Sequence, residues 1–195
     1  MRRVGVFQIG ELLQTKGEAY VRSRIAQFSC LHNKDVDDFL RDDSIEFTNR
    51  MTSMTHVVID AETQEWLAYF TLAHKPISIE AAILSGTQRR RMERFCRSLS
   101  DKGEFVVSAY LIAQLGKNCN VRECKPLKGD EIMEIALNQL REIQFKIGGQ
   151  VVFLEMEKDN AKLTEFYHRN HFKAFDSRQS DEDGVVYELM FRFFK

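Results

Sequence analysis

The chain has 195 residues, of which 44% are hydrophobic and 29% charged, and a formal net charge of −1. That balance excludes binding driven by global charge, whether to nucleic acid or through an acidic tail. No stretch approaches the about 18 continuous apolar residues of a membrane span. After Arg2 and Arg3 the apolar run is broken by Gln8, Gly10 and Glu11, too early for a signal peptide, so a cytoplasmic setting is expected. A chain this long buries roughly 70% of its unfolded surface, enough for one unstapled core. Residues 1–195 therefore read as a single domain, with 1–27 as an N-terminal extension. The four cysteines, Cys30, Cys96, Cys119 and Cys124, have no paired metal spacing and are expected as reduced thiols.

Taken in order, the N-terminal region reads as a short strand, a helix over 18–25 and a strand over 27–30. Asn33 offers a helix cap, and Val36, Phe39 and Leu40 follow at helical spacing. Residues 55–60 and 66–72 are rich in β-branched and aromatic residues and flank a polar turn, which predicts a hairpin. Met92, Phe95, Cys96 and Leu99 make one apolar stripe over a helix at 88–99. Residues 105–115 read as a strand ended at Gly116. The clearest helix is 130–147, where Ile132, Met133, Ala136, Leu137, Leu140, Ile143 and Ile147 recur every three to four residues. Asp130 is its expected cap and Gly148-Gly149 its stop. A strand at 151–156, a helix at 161–169 and a closing hairpin complete the chain.

A helix of that length between two strands joins them in parallel, with a right-handed crossover. The fold class is therefore α/β (α+β): a mixed, mainly antiparallel sheet with a central splayed parallel strand pair and flanking helices.

A helix that follows a strand–loop turn presents unpaired N–H groups and a partial positive charge, which suits a phosphate. Here the loop is 124–129, with Lys125, Lys128 and Gly129 in favour; Pro126, Asp130 and Glu131 work against it. Equally, it reads as a capped helix with a lysine-bearing loop. Further on, Asn160 caps a helix whose end carries Phe166 and Tyr167. A tyrosine hydroxyl, with an ordinary pKa of about 10, suits protonation of a departing thiolate.

In these features the chain resembles the GNAT superfamily of N-acetyltransferases. The early helix around Asp35–Leu40, the hairpin, the strand–loop–helix over 110–140 and the Asn160…Tyr167…Asn170-His171-Phe172 segment come in the family's order, over about 28–193. The early helix and hairpin look most like its toxin-type and phage-associated branches. The resemblance implies the acyl-CoA N-acyltransferase fold and acetyl-CoA as co-substrate. It also implies backbone pairing of Ile112, Ala113, Gln114 and Leu115 with the pantetheine arm. Amides of Leu127, Lys128, Gly129, Asp130 and Glu131 would receive the pyrophosphate, with Asn160 facing the cofactor and Tyr167 as general acid. Two departures stand out. The family loop reads Gln/Arg-x-x-Gly-x-Gly/Ala, and Cys124, Leu127 and Gly129 occupy those positions. The family's Gly-Phe after the tyrosine is His171-Phe172 here.

Glu155 is a candidate general base, and a charge pair is its competing role. The run 89–97 holds five arginines, which suit RNA, a phosphorylated acceptor, the CoA ribose phosphate or simply a solvated helix face. His168 and His171 lack a third ligand, so no metal is expected. Tyr187, Phe191 and Phe193 alternate along the last strand and fill core or a homodimer contact. The partners expected are acetyl-CoA and an amine acceptor: a small molecule, a protein or an aminoacyl-tRNA, the last being the one route to nucleic acid. The alternative is a catalytically weakened CoA-binding or interaction module of the same fold.

Overall fold

In chain order the elements are β1 (Val4–Gln8), α1 (Ile9–Lys16), α2 (Glu18–Ile25), α3 (Lys34–Asp38), a π-helical turn (Phe39–Asp43) and α4 (Ser44–Asn49). Then come β2 (Met54–Asp60), β3 (Trp66–Glu80), a 3₁₀ turn (Ala81–Ile83), α5 (Gly86–Glu93), β4 (Glu104–Lys117) and α6 (Gly129–Ile147). The chain closes with β5 (Val151–Glu157), α7 (Ala161–Arg169), β6 (Lys173–Gln179) and β7 (Val186–Phe193). This computed structural model describes residues 3–31, 33–96, 100, 102–121, 127–181 and 184–194. The strands form one mixed sheet in the order β1-β2-β3-β4-β5-β7-β6, with β4 and β5 parallel. The expected fold class is the one observed.

The chain divides into two compact units: residues 1–73 with 112–138, and residues 74–111 with 139–195. In the first, β1 runs antiparallel to β2, which pairs in turn with β3. Ile9, Val21, Ile25, Phe28, Leu40, Val57 and Tyr69 join in one buried cluster, so residues 4–25 contribute both a strand and core. Asn33 caps α3 as expected, its side chain accepting the Val36 N–H at 3.1 Å. The Tyr69 hydroxyl is satisfied by the Val36 carbonyl, which ties β3 to α3. On α6, Ile132, Met133, Ala136 and Leu137 are buried, as their spacing predicts.

In the second unit the ladder pairs Tyr110 with Val152 and Leu111 with Phe153 in parallel. β7 lies antiparallel between β5 and β6. Tyr110 donates to the Gly148 carbonyl. Its ring also lies where a Cβ on Gly149 would sit, at 2.7 Å, so the glycine is needed there as well as for its φ of 101°. Arg91 of α5 donates to the Phe194 carbonyl and stacks over the Phe193 ring, its carbon 4.7 Å from the centroid.

Several expectations need correction. Residues 27–30 form no strand: Gln27 and Phe28 turn back onto the carbonyls of Arg24 and Ile25, and the Asn118 side chain takes the Ser29 N–H. Helix α1 was hidden because Gln8 caps it with Glu11 reciprocally, a weaker signal than a Ser or Asp cap. β3 runs eight residues beyond Leu72, to Glu80, although its exposed tail carries Lys75 and Pro76. The predicted helix at 88–99 is α5, which ends at Glu93, with Leu99 outside the described residues. Gly116 lies inside β4 rather than ending it. Asp130 is not a cap but sits in the first turn of α6, where an acidic side chain favours the helix dipole.

Candidate active site

The expected site residues fall in both units. In the first, β4 carries Ile112, Ala113, Gln114 and Leu115, with Ile112 buried and the next three half-buried. Gly116 follows because nothing larger fits. A Cβ there would run into the Tyr69 ring and lie 2.9 Å from Cys30 Sγ.

The amino end of α6 belongs to the same unit. Leu127 is buried, while Lys128, Asp130 and Glu131 are exposed and Gly129 is half-buried. The Lys128 N–H donates to Glu131 Oε2 at 2.7 Å, so this helix start already holds a carboxylate of its own. The Gly129 N–H has no hydrogen-bond partner among the described residues. An anion arriving here finds one free amide and the dipole, but competes with Glu131 for the other amide. Cys124, Lys125 and Pro126 of the same loop lie outside the described residues.

In the second unit β5 leads into α7. The Asn160 carboxamide oxygen accepts the Leu163 N–H at 3.2 Å, and its backbone carbonyl accepts both the N–H and the hydroxyl of Thr164. Asn160 is thus the helix cap its position predicts. At the other end His171 takes φ 67°, with its N–H on the His168 carbonyl, and Phe172 N–H returns to the Tyr167 carbonyl. A helix-ending left-handed residue is what the family's glycine would provide; histidine provides it here.

Tyr167 packs edge-on against Phe166, with centroids 5.0 Å apart, and against Phe172 at 6.0 Å. Its hydroxyl makes no hydrogen bond to any described residue. Burial pushes the phenol up to about 12, because the phenolate loses solvation among these rings. Tyr167 therefore holds its proton firmly at neutral pH and leaves the donor uncommitted.

Glu155 is half-buried on β5, opposite Leu189 of β7. Its Oε2 accepts from Arg178 Nε at 2.8 Å and Nη2 at 2.5 Å. Sequence reading missed Arg178, since a cross-sheet partner on β6 leaves no local spacing signal.

The arginine run separates by role. Arg89 pairs with Glu93 at 3.1 Å, and Arg91 is tied to the chain's last residues as described above. Arg90 and Arg94 are exposed one helical turn apart, with no ion pair among the described residues, and Arg97 lies outside them. His168 and His171 join no metal-binding cluster among the described residues. No described helix is long and apolar enough to cross a membrane.

This arrangement of a parallel pair in a mixed sheet, a helix after β4 and a tyrosine-bearing helix after β5 is the fold of GNAT acetyltransferases. A GNAT-family protein from Desulfovibrio desulfuricans superposes with a TM-score of 0.55 at 11% identity, over 98% of this chain and 99% of that one. Solved bacterial toxins share this fold as well. A tyrosine-to-phenylalanine variant of KacT matches with a TM-score of 0.65 at 16% identity, covering 99% of this chain and 95% of its own. AtaT complexed with acetyl-methionyl-tRNAfMet gives 0.58 at 13%, covering 95% and 94%. AtaTR bound with acetyl-CoA gives 0.57 at 12%, covering 94% and 91%. No family model and no curated protein sequence matches the chain.

Proposed function

We propose that this chain is an N-acetyltransferase that moves an acetyl group from acetyl-CoA to an amine, with Tyr167 as general acid. The observation that carries the reading is the Tyr167 hydroxyl near the end of α7, which makes no hydrogen bond to any described residue. β4 adds support. Its parallel ladder ends with Leu111 and Phe153, and the strand then runs on through Ile112, Ala113, Gln114 and Leu115 to Lys117. Backbone from these four residues would pair with the pantetheine arm. Leu127 to Glu131 would hold the pyrophosphate, starting from the Gly129 amide, with Glu131 swinging away. Asn160 fixes the start of α7.

In the reaction the neutral amine attacks the thioester carbonyl, and the tetrahedral intermediate collapses with cleavage of the carbon–sulfur bond. Tyr167 gives its proton to the CoA thiolate, and the proton lost by the amine passes to water. A general acid so placed is worth roughly 10²–10⁴ in rate. AtaT, of similar fold, is complexed with an acetylated aminoacyl-tRNA, which puts the α-amine of an aminoacyl-tRNA first among acceptors to test. The exposed Arg90 and Arg94 suit a phosphate backbone.

One observation favours the second reading, a CoA-binding module without turnover: Glu131 already caps the helix end where the pyrophosphate would sit. Thermal shift with acetyl-CoA, followed by a thiol-release assay with aminoacyl-tRNA and small amines, separates the two. Stabilisation with thiol release supports the enzyme. Stabilisation without release supports the module, and neither effect removes both.

A further inference from the structure

Cys30 and Cys119 stand 89 positions apart in sequence, yet their thiols meet at one atom. Cys30 Sγ donates to the Lys117 carbonyl oxygen at 3.3 Å, and Cys119 Sγ reaches the same oxygen at 3.8 Å. Their backbones are held together as well. The Cys119 N–H donates at 2.7 Å to the carbonyl of Ser29, the residue before Cys30. Bond by bond, the path from the Cys119 Cα through this hydrogen bond to the Cys30 Cα sums to about 8.2 Å. The planar peptide holds the Ser29 carbonyl oxygen about 2.8 Å from the Cys30 Cα, which limits the straight Cα–Cα separation to about 7 Å. Disulfides span Cα separations of roughly 4.4–6.8 Å. The Asn118 side chain keeps this approach in place: its Oδ1 takes the Ser29 N–H, and its Nδ2 donates to the Trp66 carbonyl at 2.7 Å.

We propose that Cys30 and Cys119 form a peroxide-responsive thiol pair that closes into a disulfide at the end of β4.

The two thiols differ in the way such a pair needs. Cys119 is exposed and meets the oxidant, whereas Cys30 is 7% exposed and does not. A hydroperoxide oxidises the Cys119 thiol to sulfenic acid and is itself reduced, releasing one water when hydrogen peroxide is used. The Cys30 sulfur then attacks the Cys119 sulfur. The S–S bond forms, the S–O bond breaks, and the departing hydroxide leaves as a second water with the Cys30 proton. Two thiols lose two electrons in all, and the peroxide gains them. Burial, with the Asp37 carboxylate beside it, pushes the Cys30 thiol up to about 12, so it stays unreactive until a sulfenic acid forms next to it. Proximity then offsets the small thiolate fraction, since effective molarities reach roughly 10⁵ M or more in well-placed pairs.

The bond would pin the segment after α2 to the end of β4, beside Gly116, where Cys30 Sγ and the Tyr69 ring already leave no room for a side chain. It would close a long loop and so stabilise the fold. None of this depends on acetyl transfer.

The test uses the full-length protein, hydrogen peroxide and non-reducing peptide mapping. The expected result is a linked Cys30–Cys119 peptide, two thiols lost per chain, a raised Tm and reversal by dithiothreitol. Cys96→Ser should behave the same way. Cys119→Ser, altered at an exposed position, should keep its Cys30 thiol free and show no Tm response to peroxide. Oxidation of Cys119 to sulfinic acid with Cys30 still free would overturn the proposal. So would a Cys119 linkage to Cys124 or to a second chain, or a bound zinc ion that protects both thiols until it is chelated.

Discussion

Arg178 donates from two of its nitrogens to a single oxygen of Glu155, joining β6 to β5 across β7. In that pairing the carboxylate serves to hold β6 to β5. Glu155→Gln should therefore leave acetyl transfer within tenfold of wild type, far from the roughly 10²–10⁴ expected on removing a general base. Stability should fall by at most about 1 kcal/mol, because the pair is partly solvated. Steady-state kinetics and urea unfolding of the variant check both figures. A collapse of kcat with unchanged stability would make Glu155 the base.

Tyr167→Phe keeps the ring contacts with Phe166 and Phe172 and removes only the hydroxyl. kcat should drop by roughly 10²–10⁴ while the acetyl-CoA Kd stays put, since the lost interaction acts on the leaving thiolate alone. Calorimetric titration alongside the thiol-release assay separates the two quantities. Loss of binding together with activity would point to a packing role instead.

The close approach at Gly116 predicts a third outcome. Gly116→Ala forces a methyl group against the Tyr69 ring and Cys30 Sγ. Overpacking of this kind costs about 1–3 kcal/mol, read as a lower urea midpoint at constant m-value. Acetyl-CoA affinity should weaken as well, because β4 must shift to relieve the clash.

Alkaline pH should unfold the protein early. Burial raises Cys30 from 9.0 and Tyr167 from 10.0, each to about 12, and raises Tyr69 further. Above pH 9.0 the unfolded chain releases the thiol proton while the native state retains it, so the native state binds more protons and stability falls with pH. The loss steepens above pH 10.0, as the unfolded tyrosines ionise too, and continues towards about 12. Thermal melts from pH 8 to 11 should show a flat Tm followed by a decline starting near 9. A Tm that stays flat through pH 11 would contradict these burials.

Much of this was readable in the chain because the relevant signals are local. α6 declares itself by apolar residues three and four apart, and α7 runs from Ala161 to Arg169 as its Asn160 cap and left-handed His171 require. The hairpin β2–β3 follows from β-branched runs around a polar turn. What stayed hidden depends on distant partners. Gly116 looks like a strand end until the Tyr69 ring is seen against it, and Glu155 looks free until β6 brings Arg178. Residues 27–30 have strand composition, but their N–H groups go to turns, to Asn118 and to Asp37 instead of a ladder. At the α6 start, sequence supplied the lysines and the glycine. The orientation of the Glu131 carboxylate required coordinates.

A crystal structure of the protein grown with acetyl-CoA tests the central claim most directly. The thioester arm should run along the backbone of 112–115, the pyrophosphate should sit on the Gly129 amide with Glu131 displaced, and the sulfur should lie within hydrogen-bonding reach of the Tyr167 hydroxyl. Clear density for the nucleotide elsewhere, or a sulfur remote from Tyr167, would contradict it.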